Sequence, residues 1–237
     1  MSRRLLGLGV AIPCLDEPNS VVDKLINELR KEGAEVIVVD DGSLKPHKKS
    51  LKLGTNRGYG VALMTGIANL KSDVVATMDS DSQHTVSELI KLYKAWKLMQ
   101  PIDMLVGMRR LDKELWYRYV GRKVLNLIAS VLSTRFLNDL NSGMRIFKKQ
   151  VAWGYRDILC GQFSFTTSLT LSMVCDGYRV EYFPINVRAR VSGKSKVNLV
   201  KHGFITLWYI IWIGGAIRTR KIRSWMRKIL NKKNPIR

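Results

Sequence analysis

Acidic residues are scarce in this chain: 19 Asp and Glu stand against 40 Lys and Arg, leaving a formal net charge of +21. A balance so one-sided excludes a strongly basic partner and points to a polyanionic surface, either anionic lipid or nucleic acid. The asymmetry is local. Leu140 to Arg237 carries 19 Lys/Arg against Asp157, Asp176 and Glu181, whereas the first 139 residues are only +5. Cysteine is scarce too. Cys14, Cys160 and Cys175 are odd in number and lack metal-ligand spacing, so they read as buried free thiols suited to a reducing compartment. There is no zinc-ligand pattern, ribonucleoprotein motif or clear recognition helix, so only charge speaks for nucleic acid and none is expected as a partner. Arg3 and Arg4 precede an apolar run that stops at Pro13 without a convincing cleavage site, which reads as a first strand rather than a secretory signal.

What the chain does contain is an alternating pattern. Its 237 residues, 46% of them hydrophobic, suit one α/β core with a C-terminal appendage. Leu5 to Ile12 is β-rich, and Val21, Val22, Leu25, Ile26 and Leu29 then recur at helical spacing from about Ser20 to Lys31, with Asn19 or Ser20 available as a cap. Glu35 to Val39 and Val74 to Met78 are short buried strands. Thr85 caps a helix reaching about Met99, and Asp103 to Gly107 is a further strand. Apolar strands separated by helices predict a mainly parallel sheet, with ligands beyond the carboxyl ends of the strands.

Two acidic clusters fall at such ends. Asp79 and Asp81, two apart after a strand, offer hard oxygen ligands for a divalent cation, and Gln83 adds an amide oxygen; the bland alternative is a solvated turn or helix cap. Asp40 and Asp41 end another strand, where a carboxylate can accept hydrogen bonds from a nucleobase while Gly42 permits a tight turn, or where an ordinary Asp-Gly turn sits. Asn56, Gly58 and Gly60 precede a helix rich in small residues, Ala62, Gly66 and Ala68, which allows a ligand or a sheet to approach closely.

In order, Pro13-Cys14-Leu15-Asp16-Glu17, Val38-Val39-Asp40-Asp41-Gly42-Ser43, Asn56-Arg57-Gly58-Tyr59-Gly60 and Asp79-Ser80-Asp81-Ser82-Gln83 resemble the family 2 glycosyltransferases. Asp139-Leu140-Asn141-Ser142-Gly143-Met144-Arg145 and Arg190-Val191-Ser192-Gly193-Lys194-Ser195-Lys196 resemble segments of the dolichol-phosphate mannose synthase branch. The resemblance spans roughly Leu8 to Val197 and implies a GT-A fold, an α/β nucleotide-diphospho-sugar transferase, over residues 1–197. It implies that Pro13, Glu17 and Asp41 line a nucleotide pocket, with Asp40, Gly42, Asn56, Gly58 and Ser80 on the same motifs. By the same resemblance Asp79, Asp81 and Gln83 hold Mg²⁺ or Mn²⁺. Leu15-Asp16 stands where many relatives have Tyr-Asn, and Leu44-Lys45-Pro46-His47 lacks the usual continuation, so the base stays open.

The implied reaction is inverting transfer of a hexose from a UDP- or GDP-sugar to a polyprenyl phosphate. A phosphate monoester is already anionic near neutral pH and needs no general base, so cations to position it matter more; Arg109, Arg118, Arg122, Arg145, Arg190, Lys194 and Lys196 are candidates. If the acceptor is instead a hydroxyl, Asp139 is the first candidate to take its proton, although it can equally be structural. A third reading is a non-catalytic basic adaptor, against which the intact Asp79, Asp81, Arg190 and Lys196 argue.

Residues 198–237 are expected to associate with an anionic membrane surface from the cytoplasmic side. Gly203 to Ile217 is free of formal charge, but as a helix its 15 residues reach about 22 Å against a bilayer core of about 30 Å, too short to span alone. Arg218 to Arg237 holds nine Lys/Arg and no acid, with Ile222, Trp225, Met226, Ile229 and Leu230 on one helical face, the pattern of an in-plane helix on anionic lipid, the alternative being a terminal helix docked on the protein core. Trp116 to Phe136 is a second apolar and basic stretch, placed to flank a lipid entrance.

Overall fold

The apolar run near the N-terminus becomes β1 (Leu8–Cys14), a strand whose seven residues are all buried, as expected of a central strand covered on both faces. The computed structural model describes residues 3–110, 116–188, 203–215 and 217. After β1 come α1 (Asn19–Lys31), β2 (Glu35–Asp40), β3 (Leu51–Lys52), α2 (Tyr59–Asn69), β4 (Val74–Thr77), α3 (Val86–Leu98), β5 (Met104–Arg110) and α4 (Trp116–Ser133). Then follow β6 (Arg145–Lys148), α5 (Lys149–Trp153), α6 (Phe165–Cys175) and β7 (Val180–Asn186). Residues 203–215 form a further helix, α7.

The strands make one sheet in the order β3-β2-β1-β4-β6-β5-β7. It is parallel from β3 to β4 and again between β5 and β7, but β6 runs antiparallel to both its neighbours. The expected mainly parallel sheet is therefore mixed. Thr77 pairs with Arg145 and Val106 pairs with Arg145, so the beginning of β6 lies at the same rim as the ends of β4 and β5. Cys14 pairs with Asp40, placing the ends of β1 and β2 there too. The chain thus gathers the loops after β1, β2, β4 and β5 and the loop before β6 on one rim.

Alternation along β1 sends Leu8, Val10 and Ile12 to one face, packed with Val22, Ile26 and Leu29 of α1 and Leu89 and Leu92 of α3. Ala11 faces the opposite side, against Leu63 and Ile67 of α2 and Phe165 and Leu169 of α6. A third cluster joins Ala129 of α4 and Leu171 of α6 to Ile210 and Ile213 of α7 and to Ile217, with Leu137 and Leu140 from the loop before β6.

Helix ends differ in detail from the sequence reading. At α1 neither Asn19 nor Ser20 caps: the carbonyl of Pro18 takes the N–H groups of Val21 and Val22, and no side chain bonds at the cap. At α3 the expected cap is present, Thr85 Oγ1 accepting from Glu88 N at 3.3 Å. None of the three cysteines is in a disulfide; Cys14 and Cys160 are buried and Cys175 partly so. Burial pushes the Cys14 thiol up to about 11, which keeps it protonated and unreactive at neutral pH.

Candidate active site

Every acidic motif named from the sequence, together with the Asp139 loop, lies on the rim just described. The loop after β2 is built by Asp40. Its Oδ1 accepts from the N–H groups of Gly42 at 3.1 Å and Ser43 at 2.8 Å, and its Oδ2 faces His47 N at 3.4 Å. Gly42 has φ +88, and a Cβ there would lie 2.5 Å from Asn56 N, so glycine is required both by conformation and by the Thr55–Asn56 backbone crossing over it. Ser43 Oγ accepts Asp16 N at 2.8 Å and Asp16 Oδ1 accepts Leu44 N at 3.0 Å, which staples the loops after β1 and β2.

Asp41 is buried, and its carboxylate accepts Arg57 N at 2.7 Å and Gly58 N at 3.0 Å. It shapes the Asn56–Gly58 loop, in which Asn56 is exposed. Gly58 opens α2 at φ +112, and a Cβ there would meet the Gln162 amide at 2.5 Å. The small residues at the start of α2 thus seat protein, the 160–162 segment, rather than leaving a gap.

The loop after β4 carries the Asp79–Gln83 motif. Ser80 Oγ donates to the Pro13 carbonyl at 2.9 Å, tying this loop to the end of β1 beside the partly buried Glu17. Asp79 is 28% exposed at its side chain; Tyr59 OH donates to its Oδ1 at 2.8 Å, and His84 Nδ1 stands 3.6 Å from its Oδ2. Asp81 Oδ1 accepts Gln83 N at 3.1 Å, a return made possible by Ser82 at φ +62. Gln83 in turn offers its carbonyl to Arg188 N at 2.9 Å, bringing the segment after β7 onto the same loop. The enclosed Tyr59 hydroxyl, desolvated and beside Asp79, is held well above the usual phenol range and stays a donor. Burial holds His84 below its ordinary value, and its Nδ1 has no hydrogen-bond partner.

The loop before β6 closes the site. Thr77 Oγ1 donates to the Gly143 carbonyl at 2.7 Å, and Gly143 presses against the Asp79 carboxylate. Asp139, buried, accepts both Nε and Nη2 of Arg109 at 2.9 Å in a two-pronged ion pair. Arg145 lies elsewhere than the phosphate-contact reading suggests. It is fully buried, with Nε donating to Ser142 O at 2.7 Å and the remaining nitrogens to Thr166 O, Thr170 Oγ1 and Leu140 O. Burial brings its pKa down to about 10, still charged at neutral pH, and it pins the Leu140–Ser142 loop onto α6.

Arg190, Lys194 and Lys196 lie outside the described residues, as does Arg218 to Arg237. Arg118 and Arg122 fall within α4. Tyr59 and His84 escaped the sequence reading. Tyr59 had as its only signal its place inside a glycine-rich motif, and a bond to a residue 20 positions away has no sequence periodicity. His84 follows Gln83 directly and carried no pattern of its own.

Among the described residues no cluster of three or more His, Cys, Asp or Glu gathers to hold a metal. The donor set at Asp79, Asp81 and Gln83 is two carboxylates and an amide, all partly exposed, beside a buried imidazole nitrogen without a partner. Such hard oxygens fit a divalent cation that takes its remaining ligands from a substrate diphosphate.

Acidic loops after β2 and β4, gathered on one rim of a seven-stranded mixed sheet with helices on both faces, define a GT-A fold of the nucleotide-diphospho-sugar transferase type. The chain belongs to glycosyl transferase family 2, whose family model matches residues 9–156, and it is a glycosyltransferase. It is 30% identical over 220 residues to the uncharacterized protein MJ1222 of Methanocaldococcus jannaschii, covering 85% of this chain and 90% of that one. It is also similar to undecaprenyl-phosphate 4-deoxy-4-formamido-L-arabinose transferases. With that of Aeromonas hydrophila it shares 30% identity over 134 residues, 49% of this chain and 40% of the relative. With that of Edwardsiella ictaluri it shares 24% over 221 residues, 85% of this chain and 66% of the relative. The chain therefore spans between two fifths and two thirds of those transferases' own lengths.

Among solved structures it resembles glucosyl-3-phosphoglycerate synthase from Mycobacterium tuberculosis in complex with Mn²⁺, UDP and phosphoglyceric acid, with a TM-score of 0.70, 15% identity and coverage of 88% of this chain and 78% of that one. The same enzyme with Mn²⁺, UDP-glucose and phosphoglyceric acid superposes with a TM-score of 0.68 at 14% identity, covering 88% and 79%.

Proposed function

We propose that this glycosyltransferase moves a hexose from a UDP- or GDP-sugar onto a polyprenyl phosphate at a membrane surface, using Mg²⁺ or Mn²⁺. The observation that carries the phosphate acceptor over a hydroxyl acceptor is the Asp139–Arg109 pair. The carboxylate that would have to serve as general base is 3% exposed and has both oxygens engaged by a guanidinium. Taking up a proton would mean abandoning that pair in a buried place, whereas a phosphate monoester asks for no base.

In this reading the phosphate oxygen of the acceptor attacks the anomeric carbon as the bond from that carbon to the nucleotide diphosphate breaks, inverting the centre. Bound at Asp79, Asp81 and Gln83, the metal ion would neutralise the leaving diphosphate. The chain's own residues do the rest. Asp41 fixes the Asn56–Gly58 loop against the nucleotide side, Gly143 and Tyr59 hold Asp79, and Arg109 is kept at the rim by Asp139. Arg190 and Lys196 are proposed to hold the acceptor phosphate.

A lipid acceptor is supported by what borders the Asp139 loop. Asn126 of α4 donates to the Asn138 carbonyl, and Leu140 packs with α6 and α7. On its outer side α4 exposes Val120, Val124, Leu127 and Val131, and α7 exposes Phe204, Trp208, Ile211 and Trp212. Exposed apolar side chains at helical spacing on two neighbouring helices suit the interface of a bilayer. No helix among the described residues is long and apolar enough to cross one. The association is proposed to be peripheral and on the cytoplasmic side, with the basic residues 218–237 meeting anionic lipid. The homologue names given above support the same acceptor class.

The test is to incubate the purified chain with a panel of UDP- and GDP-sugars, Mn²⁺ and short polyprenyl phosphates. The expected result is release of one nucleotide with a matching gain of one hexose mass on the lipid. Nucleotide release that depends on a saccharide acceptor and leaves every polyprenyl phosphate unchanged would favour the hydroxyl-acceptor alternative.

A further inference from the structure

Asp79 is held from three directions by residues that the transfer chemistry does not itself require. Tyr59 OH donates to Oδ1 at 2.8 Å, His84 Nδ1 faces Oδ2 at 3.6 Å, and Gly143 leaves no room for the carboxylate to swing toward the loop before β6. Of these, Tyr59 alone makes a hydrogen bond to it. Tyr59 is also the first residue of α2, directly after Gly58, whose N–H is bound by the Asp41 carboxylate at 3.0 Å. One short path, a hydrogen bond at each end and the Gly58–Tyr59 backbone between, therefore joins the two acidic loops: Asp41 fixes the start of α2, and the first side chain of α2 fixes Asp79.

We propose that Tyr59 is a positioning residue that sets the Asp79 carboxylate in its metal-binding orientation and makes that orientation depend on the Asp41 loop. The inference rests on the reading of Asp79 as a metal ligand given above. The physical argument is one of preorganisation. A carboxylate with a free torsion must give up that freedom when it takes a cation, and a fixed donor on the oxygen that does not need to turn removes the cost in advance. The phenol suits this task because it stays neutral, so it donates without bringing a charge that would compete for the carboxylate. Its ring is held in turn, 6.1 Å from the Phe163 ring and tilted against it.

The experiment compares the parent chain with Tyr59→Phe, Asp79→Asn and the double variant. Mn²⁺ affinity is measured by electron paramagnetic resonance of the free ion, in the presence of UDP and separately of GDP, and melting midpoints are recorded for all four proteins. Tyr59→Phe keeps the ring and its contact with Phe163, and is expected to melt within a few degrees of the parent while binding Mn²⁺ about 10- to 100-fold more weakly. Because Tyr59 acts through Asp79, the Phe substitution is expected to have no further effect in the Asp79→Asn background.

Mn²⁺ binding by Tyr59→Phe within twofold of the parent, with Asp79→Asn defective, would overturn the positioning role and leave the metal site standing. An undiminished further loss in the double variant would overturn it as well, by showing that Tyr59 acts elsewhere. Parental Mn²⁺ affinity in Asp79→Asn would overturn the metal reading and this inference with it. A large fall in melting temperature for Tyr59→Phe with parental Mn²⁺ affinity would make the bond a structural one only.

Discussion

Replacing Gly143 by alanine adds a single methyl group and tests how the site is built. An added Cβ would lie 2.1 Å from Asp79 Oδ2 and 2.8 Å from Oδ1, while ordinary van der Waals contact begins at 3.4 Å. One of the two partners must therefore yield by about 1.3 Å. The Gly143 backbone is poorly placed to do so. Its carbonyl is bound by Thr77 Oγ1 at 2.7 Å, and two residues later Arg145 is locked into carbonyls on both sides. Gly143 has no left-handed φ, so alanine brings no backbone strain of its own. The carboxylate is what moves, and in moving it leaves the Tyr59 hydroxyl. Loss of a hydrogen bond to a charged group costs about 1.5–3 kcal/mol, and overpacking adds about 1–3 kcal/mol. Misplacement of a reacting group by about 1 Å lowers turnover on the order of 100-fold. Steady-state transfer with saturating Mn²⁺, alongside a thermal melt, reads both effects. Parental turnover in Gly143→Ala would refute the reasoning, because it would mean that the position of Asp79 is immaterial to transfer.

Four further outcomes are expected. Asp81→Ala should abolish transfer with little change in melting temperature, measured as nucleotide release at saturating Mn²⁺, because it removes a charged ligand from a partly exposed loop. Arg145→Met should destabilise the fold by about 3 kcal/mol by stranding the carbonyls of Leu140, Ser142 and Thr166, and denaturant titration checks this; loss of activity at full stability would move Arg145 to the substrate. Burial opposes ionisation of Glu35, but bonds from Lys71 N and from the N–H and hydroxyl of Ser72 outweigh it and hold the carboxyl below its usual value. Its contribution is thus complete above the unfolded pKa of 4.5 and lost as the pH falls through the lower folded value, a decline in melting temperature that Glu35→Gln should blunt. Removing Arg218 to Arg237, with its nine cations, should markedly weaken cosedimentation with anionic vesicles, and added salt should weaken that of the full chain, while calorimetric donor binding stays nearly unchanged.

Much of the rim was legible in the sequence because polar residues ending apolar strands have little reason to be there except turn or site chemistry. Asp40 ends a buried strand and Asp41, Asp79 and Asp81 follow buried strands, and the structure brings their loops together. The sheet's one reversal was not legible. β6 is only four residues long and begins at a buried arginine, whose charge conceals the strand. α6 was missed for the opposite reason: buried on every side from Phe165 to Val174, it alternates Thr and Ser with Leu and Phe and shows no amphipathic period. Asp139 and Arg145 belong to one motif in the sequence, yet they take different partners. The carboxylate pairs with Arg109, 30 residues away, and the guanidinium turns inward to α6. Gly58 and Gly60 were open between ligand and protein, and backbone and side chains from residues 160–162 occupy the space beside them.

The measurement that bears most directly on the proposed activity is a paired acceptor assay. A short polyprenyl phosphate and the corresponding polyprenol are offered to the purified chain with the same nucleotide sugar and Mn²⁺, and the lipid products are weighed by mass spectrometry. The account predicts a hexosyl phosphoprenol as the sole lipid product, with the free alcohol unmodified. Hexosylation of the polyprenol, or nucleotide release with neither lipid changed, would contradict it.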